Sequence, residues 1–374
     1  MPDKQKTPTP HLHYIDLAFD AARSVKGKTL PNPPVGAVLV KGGKIIATGA
    51  TQPAGQSHAE VVAIQSALAK GHKTKGSTLF VTLEPCCHQG RTPPCTKAII
   101  AAVVKEVVIA AKDANPLVGG KGIKALERAG IKVTVGIRAD VAAAFYQGFF
   151  FAIKHKRPLI ILKIAQSIDG KINAAAGIET AITGEESKAW VHAMRAHIDA
   201  VLIGGKTLRI DNPQLTPRKV VGPVPEAIVL SRRGPFPLGS HLFAKNRKAK
   251  TLVLAEDFSS TLPDWVEQIK IDSDPVATLL KLFEKRGYHS VLVEGGPEIW
   301  SLLINAGLCD SLFVLTAPVI LPKGERWDSQ LQQQLPGTLP QQKPQDWGKA
   351  LKFRNFATLG KDFLVEFVNS KTME

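Results

Sequence analysis

The residues most suited to chemistry lie in two short segments of the chain, SHAE and TLEPCCHQGRTPPC. Imidazole and thiolate are the ligands that zinc takes in tetrahedral sites, and a hydrolytic zinc site uses three protein ligands so that water can occupy the fourth position. His58, Cys86 and Cys95 would supply those three ligands. Glu60 follows His58 closely, and a carboxylate there can accept a proton from metal-bound water and pass it to a leaving amine. The pattern therefore predicts one zinc ion per chain and hydrolytic deamination with Glu60 as the catalytic residue.

The cysteine spacing departs from the general signature of zinc deaminases, H-x-E followed by P-C-x-x-C. Eight residues, not two, separate Cys86 from Cys95. Pro85 precedes Cys86 as in the signature, which favours Cys86 over Cys87 as the ligand. Cys87 and His88 could compete for the metal, although the neighbour of a bound cysteine usually points away from it. Cys95 is expected to open a helix, where the dipole and free N–H groups favour a thiolate.

Two structural interpretations compete with this metal site. Ser57 and Glu60 have the spacing of a capping box, in which the glutamate side chain bonds back to the helix backbone. A single histidine such as His58 is more often structural than a ligand. Both alternatives weaken if residues 77–83 form a strand, because a β-α-β arrangement brings the end of that strand close to the start of the helix.

Length and composition limit the class of protein. The 374 residues suit two domains, and an apolar content of 44% suits a globular fold. No run of about 18 apolar residues occurs, so a membrane is not an expected partner. Residues 1–12 predict a flexible tail without a secretory signal, in a cytoplasmic protein. Three of the four cysteines cluster at residues 86–95, which favours metal binding over a disulfide framework.

The formal net charge of +16 allows two interpretations. Basic proteins attract nucleic acids, but they also attract small phosphorylated substrates and dinucleotides. The positive residues lie in short scattered clusters with few aromatic residues between them, so no stacking surface for single strands is indicated. A solvated basic surface is the simpler explanation, and nucleic acid is not an expected partner.

Alternating strand and helix patterns predict a three-layer α/β/α domain at residues 13–156. Its first helix is expected from His13 to Val25. Asn32 lies in a proline-rich loop, where its amide could read a heterocycle or be an ordinary turn asparagine. Arg91, between the cysteines, could contact a substrate phosphate or be a solvated charge. Further elements are predicted as strands at 35–40, 45–48, 77–83, 106–111 and 131–135, with helices at 57–68, 96–102, up to 126 and at 139–145.

A second α/β domain is predicted over residues 157–374. The near-continuous apolar strand at 159–164 is typical of a sheet buried on both faces, and Lys163 lies at its end, where open α/β sheets bind ligands. A strand at 290–293 leads through EGGPE into a helix; such a glycine turn can bind phosphate, although two glycines often only make a turn. The remaining predictions are a helix that contains Trp190, Met194 and Arg195, strands at 200–203, 351–359 and 363–368, a helix at 299–306, and a mobile loop at 329–346, rich in Gln and Pro.

The segments quoted above resemble one family over nearly the whole chain, the bifunctional deaminase/reductases of riboflavin biosynthesis. In the first half the resemblance rests on PNP, HAE and EPC through GRTPPC, and the eight-residue gap between the cysteines is usual in this family. In the second half it rests on Lys163, SIDG, Thr207, DNP and VEGGP. The resemblance implies an α/β protein with an N-terminal cytidine-deaminase-like domain and a C-terminal dihydrofolate-reductase-like domain.

The resemblance implies two consecutive reactions on a phosphorylated pyrimidine ribotide. Zinc hydroxide would attack the ring carbon that carries the amino group, with Glu60 moving protons as ammonia leaves. NADPH would then deliver hydride to C1 of the ribose and open it to a ribityl chain. We also expect a homo-oligomer. By position, the substrate would be contacted by Lys163, Arg195, Leu215, Arg218 and Glu294, and NADPH by Ala165, Thr207, Asp211, Ser231, Gly296, Pro297 and Glu298.

One segment departs from the family pattern. The family usually has a segment like Ser-Gly-x-Ser-x-Trp-Ile, whereas residues 176–182 read AGIETAI. Glu179 replaces a small hydroxyl and Ala181 replaces an aromatic residue. Because an extra carboxylate repels an anionic phosphate, one alternative is an active deaminase whose second half is inactive or acts on another ribotide. A nucleic-acid deaminase is the other alternative.

Overall fold

The structure, a computed structural model, describes residues 10–258, 261–329 and 350–372. It divides into two compact units between Lys156 and Arg157. Each unit contains one β-sheet. Among the helices of the described ranges, none combines the length and the apolar content that crossing a bilayer requires.

The first unit is built on a five-stranded sheet. Its elements are α1 (Pro10–Ser24), β1 (Gly36–Lys41), β2 (Lys44–Ala50), α2 (Ala59–Ala69), β3 (Thr78–Leu83), α3 (Cys95–Ala101), β4 (Glu106–Ala111), α4 (Lys121–Arg128), β5 (Lys132–Val135) and α5 (Ala139–His155). The strand order is β2-β1-β3-β4-β5. β1 pairs antiparallel with β2 and β3, whereas β3, β4 and β5 run parallel.

Apolar side chains cover both faces of this sheet. Leu39 packs into a core with α2, α3 and α4, and its neighbours Val38 and Val40 pack into a second core with α1 and α5. This alternation follows from the two-residue period of a strand. The helices on both faces make the three-layer α/β/α arrangement that the sequence predicts.

The ends of two helices differ from the predictions. α1 begins at Pro10, upstream of the predicted start at His13, so the last residues of the predicted tail are helical; residues 1–9 lie outside the described part of the chain. Proline is tolerated in a first helical turn because the N–H it lacks would have no partner there. α5 continues past Phe145 to His155 because its aromatic face continues to pack on the sheet.

The second unit is built on a nine-stranded sheet. Its elements are β6 (Leu159–Ser167), α6 (Glu185–Arg195), β7 (Ala200–Gly204), α7 (Gly205–Asp211), β8 (Glu226–Arg233), β9 (Thr251–Asp257), β10 (Val266–Lys270), α8 (Pro275–Arg286), β11 (Ser290–Val293), α9 (Pro297–Asn305), β12 (Ser311–Ala317), β13 (Leu351–Leu359) and β14 (Asp362–Asn369). The strand order is β10-β9-β8-β7-β11-β6-β12-β14-β13. The run from β10 to β12 is parallel, and β14 and β13 add an antiparallel edge.

In the parallel core of this sheet, the sequence predicts several of the strands that have apolar runs. β6 and β11 have the predicted positions, although β6 continues to Ser167. β8, β9, β10 and α8 are elements that the sequence did not predict. The predicted mobile loop at 329–346 lies outside the described residues after Ser329.

A buried ion pair anchors the start of β6. Asp310, with no exposed surface, accepts hydrogen bonds from Nη1 and Nη2 of Arg157 at 2.6 and 2.8 Å. The same carboxylate accepts the backbone N–H of Ile160 at 3.0 Å. These bonds hold the first residues of β6 beside the start of β12.

We predict that Arg157→Leu lowers the free energy of unfolding of the second unit by about 3–5 kcal/mol, because it leaves the Asp310 carboxylate buried without its cation. All five tryptophans lie in this unit, so tryptophan fluorescence during urea unfolding measures its stability. Arg354→Leu is the control, because Arg354 is 48% exposed in its pair with Glu366 and its loss should cost less than about 1 kcal/mol. Equal losses for the two variants would contradict the assignment.

Candidate functional sites

The three predicted metal ligands come from different elements and meet at one place. His58 is the N-cap residue of α2, Cys86 follows the end of β3, and Cys95 is the first residue of α3. Their ligand atoms all lie within 4.8 Å of one another. The three ligands meet because the end of β3 lies beside the first residues of both α2, the helix that precedes this strand, and α3, the helix that follows it.

The spacing of the donor atoms fits zinc. Nδ1 of His58 lies 3.6 Å from Sγ of Cys86 and 3.3 Å from Sγ of Cys95. A tetrahedral ion with Zn–S of about 2.3 Å and Zn–N of about 2.0 Å separates such donors by roughly 3.5 Å. One imidazole and two thiolates also form a three-ligand set that allows water in the fourth position.

Backbone hydrogen bonds close the long loop between the cysteines. The N–H of Cys95 donates to Sγ of Cys86 at 3.3 Å, and the N–H of Thr96 donates to the carbonyl of Cys86 at 3.1 Å. The start of α3 therefore binds Cys86, which lies just beyond the end of β3. This explains how a gap of eight residues still brings both sulfurs to one point.

The two sulfurs differ in acidity. The pKa of Cys86 is lowered to about 4, chiefly because its Sγ accepts a hydrogen bond from Cys95, and the bond with His58 adds to this. The pKa of Cys95 is raised by the same hydrogen bond and by burial. The pair therefore shares one proton, which a bound metal ion replaces.

Glu60 lies buried beside this cluster, with 3% of its surface exposed. Burial raises the pKa of its carboxyl to about 7, and the negative charge of Cys86 adds to the increase. A carboxyl that titrates near neutral pH can both accept and donate a proton under working conditions. The charge of a metal ion at the cluster acts in the opposite direction and favours the carboxylate.

The structure does not contain the capping box that competed with the metal site. Its N-cap residue would be Ser57, but α2 has His58 as its N-cap, with no side-chain capping bond. Cys87 is outside the ligand cluster, and its Sγ faces the carbonyl of Leu117 at 3.9 Å. His88 is also outside the cluster.

A cavity of about 380 Å³ opens on the metal cluster. Asn32 and Arg91, the two predicted substrate residues of this half, both line it. Two hydrogen bonds with Thr29 fix the backbone of Asn32. The N–H of Asn32 donates to the carbonyl of Thr29 at 2.9 Å, and the hydroxyl of Thr29 donates to the carbonyl of Asn32 at 2.9 Å. His88 and Asp113 line the same cavity, and the sequence analysis assigned a substrate role to neither.

Glu84 is a structural residue of this site that the sequence did not single out. Its carboxylate accepts the backbone N–H groups of Gly120 at 2.9 Å, Gly122 at 3.0 Å and Ile123 at 3.2 Å. It thereby ties the end of β3 to the start of α4. A Cβ on Gly122 would lie 2.1 Å from the carbonyl of Pro85, so only glycine permits this approach. The available signal was a carboxylate at the end of an apolar strand, which must find partners when buried.

Two adjoining cavities of the second unit lie at the carboxyl ends of its central parallel strands. The larger has a volume of about 820 Å³ and the smaller about 280 Å³. Thr207, Gly296 and Pro297 line both. Of the other predicted residues, Ser231 and Glu298 line the larger cavity, and Lys163, Ala165, Asp211 and Glu294 line the smaller.

A buried ion pair separates Arg195 from the smaller cavity. Arg195 donates from Nε and Nη2 to the carboxylate of Glu294 at 2.5 and 2.8 Å, and Nζ of Lys163 lies 3.4 Å away. Burial alone would raise the pKa of Glu294, but the charges of Arg195 and Lys163 outweigh it and lower the pKa to about 2. Arg195 lines neither cavity; its side chain contacts Glu294 and the carbonyl of Thr216.

The remaining predicted substrate residues also lie away from the cavity walls. Leu215 is buried and Arg218 is exposed, and neither lines either cavity. Glu179 lines the smaller cavity, and together with burial its charge raises the pKa of Asp211 to about 6. The sequence missed three arginines that line the larger cavity, Arg209, Arg232 and Arg233; the signal was a doubled arginine directly after the apolar run of β8.

Family models match both halves of the chain. The model described as the cytidine and deoxycytidylate deaminase zinc-binding region matches residues 8–111, and the model described as the RibD C-terminal domain matches residues 158–365. The chain belongs to the RibD family.

Relatives and solved structures agree over most of the chain. The riboflavin biosynthesis protein RibD of Aquifex aeolicus is 39% identical, over 83% of this chain and 88% of that one, and the Synechocystis RibD is 40% identical, over 86% and 90%. A Thermotoga maritima structure titled diaminohydroxyphosphoribosylaminopyrimidine deaminase/5-amino-6-(5-phosphoribosylamino)uracil reductase is 34% identical, with a TM-score of 0.76, and covers 96% of this chain and 99% of that one.

The family fixes the kind of enzyme. This RibD chain is a bifunctional riboflavin biosynthesis enzyme with a zinc-binding, cytidine-deaminase-like domain and a dihydrofolate-reductase-like domain that uses NADPH. The predicted fold class, both predicted activities and both predicted cofactors are thereby confirmed. A nucleic-acid deaminase and an inactive second half are not favoured.

We predict that Glu84→Gln weakens zinc binding about 10- to 100-fold, because the amide cannot accept all the N–H groups that the carboxylate accepts and Cys86 loses its fixed position. Competition with a chromophoric chelator measures the affinity. Glu106→Gln is the matched control, because Glu106 lies at the opposite end of the neighbouring strand and pairs with Lys132. Unchanged zinc affinity in Glu84→Gln would show that the cluster does not depend on this carboxylate.

Proposed function

We propose that this chain catalyses both reactions named for the Thermotoga maritima structure: hydrolytic deamination of the diaminopyrimidine ribotide, then NADPH-dependent reduction of the resulting ribosylaminouracil phosphate. The observation that carries the proposal is the convergence of His58, Cys86 and Cys95 beside the buried Glu60. Release of ammonia from the ribotide, followed by oxidation of NADPH, tests it with purified protein. Ammonia release without NADPH oxidation would refute the reductase half alone.

In the deamination, Glu60 is the proton carrier. Zinc, when bound to the three ligands, lowers the pKa of water in the fourth position. Glu60 accepts a proton from that water and donates it to the departing amino group, so that water enters and ammonia leaves. The charge of the metal favours the carboxylate that accepts the proton, and burial, which raises the pKa of Glu60, supports its return to the leaving group.

Asn32 and Arg91 are proposed to orient the substrate in the first cavity. The amide of Asn32 offers both a donor and an acceptor to the edge of a pyrimidine. The guanidinium of Arg91 suits a phosphate, which it can bind through two parallel hydrogen bonds. Both residues line the cavity that opens on the metal cluster.

In the reduction, the two cavities of the second unit are proposed to hold the two reactants. NADPH occupies the larger one, beside Thr207, Ser231 and the turn at Gly296, and the ribose occupies the smaller one beside Lys163 and Glu294. When bound, NADPH would supply a hydride to C1 of the ribose; the C1–O bond of the ring would break, and the ring oxygen would take a proton from solvent. Shared wall residues support a short path between the nicotinamide and C1.

Arg195, Leu215 and Arg218 remain proposed substrate contacts, at one remove from the cavity wall in this structure. Ala165 and Asp211 are proposed to contact NADPH from the boundary of the smaller cavity. Pro297 and Glu298 extend the contact along the start of α9, where the positive end of the helix dipole favours phosphate oxygens.

We further propose a deaminase domain at residues 13–156, a reductase domain at 157–374, a cytoplasmic location and a homo-oligomer. The reductase match that begins at residue 158 supports the boundary. Light scattering tests the oligomer, and a monomer at micromolar concentration would contradict it.

We predict that Glu60→Gln retains zinc but deaminates about 10²- to 10⁴-fold more slowly, because the amide cannot accept the proton of water. Metal analysis and ammonia release measure the two properties, and NADPH oxidation with deaminated substrate should be unchanged. Glu127→Gln, on the exposed face of α4, is the control. Full deamination by Glu60→Gln would refute the role of Glu60.

We predict that NADP⁺ binds more weakly as pH rises through about 6, and that Glu179→Gln moves this transition to lower pH. Burial and the charge of Glu179 raise the pKa of Asp211 to about 6. Below that pH the carboxyl is neutral, and above it the carboxylate repels the anionic cofactor. Removing the charge at Glu179 lowers the pKa of Asp211.

Calorimetric titrations of NADP⁺ at several pH values measure the midpoint of this transition. Glu284→Gln is the control, because Glu284 is exposed on α8 and lines neither cavity. A midpoint that stays in place or moves to higher pH in Glu179→Gln would contradict the prediction.

A further inference from the structure

The segment after α7 has an unusual backbone. Asn212 has a φ of +37° and Leu215 a φ of +50°. Residues with a side chain rarely adopt this left-handed region, and a leucine there persists only where its surroundings fix it. The residues that hold this segment are therefore worth identifying, and they lie on α6.

Three side chains on one face of α6 bind the segment 215–219. Arg195 donates from Nη1 to the carbonyl of Thr216 at 3.4 Å, and the N–H of Lys219 donates to Nδ1 of His192 at 3.3 Å. Nζ of Lys219 pairs with the carboxylate of Glu185. Positions 185, 192 and 195 lie on one side of a helix, so α6 contacts both ends of the segment.

Among the ionisable side chains that make these contacts, His192 is the one that must be uncharged, because its Nδ1 accepts a hydrogen bond. It is 5% exposed, and burial followed by the charges of Arg195 and Arg218 lowers its pKa to about 4. Lys219 acts in the same direction, and Glu294 opposes it. At neutral pH the ring therefore has a lone pair on Nδ1 for the Lys219 N–H, with its proton on Nε2.

The segment carries one cation that is available to a ligand. Arg195 is paired with Glu294 and Lys219 with Glu185. Arg218 is exposed, and within the described part of the chain no hydrogen-bond or ion-pair partner is found for its guanidinium. Arg195 links Thr216 of this segment to Glu294, which lines the smaller cavity, and a free guanidinium suits a phosphate.

We infer that His192 is a positioning residue for the reductase: through the Lys219 N–H it fixes the segment 215–219 to α6 and so holds Arg218 where it receives the phosphate of the ribotide. This inference rests on the proposed reduction of the ribotide. Because His192 acts through Arg218, its loss weakens substrate binding more than it slows hydride transfer.

Two substitutions separate the hydrogen bond from the volume of the ring. His192→Asn places an amide oxygen near the position of Nδ1 and keeps an acceptor, whereas His192→Leu fills the space without one. We expect His192→Leu to raise the KM for the ribotide about five- to tenfold with kcat nearly unchanged. His192→Asn should stay close to the wild type.

The chain supplies its own controls. Deamination by the first unit should be unchanged in both variants, and tryptophan fluorescence, which reports on the second unit, should match that of the wild type. His197→Asn is the matched substitution, because His197 is exposed and contacts the carbonyl of Ala193 within the same helical region. It should leave the KM for the ribotide unchanged.

Hydrogen exchange at the Lys219 amide gives a readout that does not depend on activity. The amide should exchange about tenfold faster in His192→Leu, because its acceptor is lost, and at the wild-type rate in His192→Asn. Protection of Lys219 unchanged in His192→Leu would overturn the inference, as would a fall in kcat at constant KM, or an asparagine variant as impaired as the leucine variant.

Failure of the proposed function is a distinct result. A wild-type protein that releases ammonia but never oxidises NADPH with this ribotide refutes the reduction, and with it the role of His192 in that reaction. A wild-type protein that performs both reactions while His192→Leu matches it in KM and in Lys219 exchange refutes only the role of His192.

Discussion

The first unit depends on the hydrogen bonds that meet at the sulfur of Cys86. This atom accepts the N–H of Cys95 and faces Nδ1 of His58, so a negative sulfur is held in a part-buried place by donors from two helices. A buried negative charge must be paired with a positive one. A divalent ion supplies two positive charges to this cluster, whereas the shared proton supplies one. Glu84 makes this arrangement rigid because it ties the strand before Cys86 to α4. The metal ligands are thus fixed by backbone contacts rather than by their own side chains.

In the second unit a negative charge also lies just after a parallel strand, as Cys86 does in the first unit. Here cationic side chains neutralise it. Glu294 follows β11 and is buried between Arg195 and Lys163. Because these cations already neutralise a carboxylate, the groups free to meet a phosphorylated substrate must come from elsewhere, and Arg218 is such a group. The two halves therefore treat buried acids differently: burial raises the pKa of Glu60, whereas two neighbouring cations lower the pKa of Glu294.

The sequence predicted those features that depend on residues close to one another along the chain. The strands at 106–111, 290–293 and 351–359 coincide with β4, β11 and β13, since apolar or alternating runs bounded by turn residues determine them. The metal ligands could be proposed because their types match one chemistry. Glu84 and His192 were not found, because their partners lie far along the chain, at Gly122 and Lys219. Arg195 was expected to face substrate, and its actual partner, Glu294, is equally distant. β10 was missed because its sequence, VEQIK, has only two apolar residues, and these are three positions apart rather than two.

The common lining of the two reductase cavities has a consequence for kinetics. Since Thr207, Gly296 and Pro297 line both, a molecule in one cavity completes the boundary of the other. Under the occupancy proposed above, the affinity of the enzyme for each reactant would depend on the concentration of the other. An affinity measured for one ligand alone thus describes an incomplete enzyme, and thermodynamic linkage requires the effect to be equal in both directions.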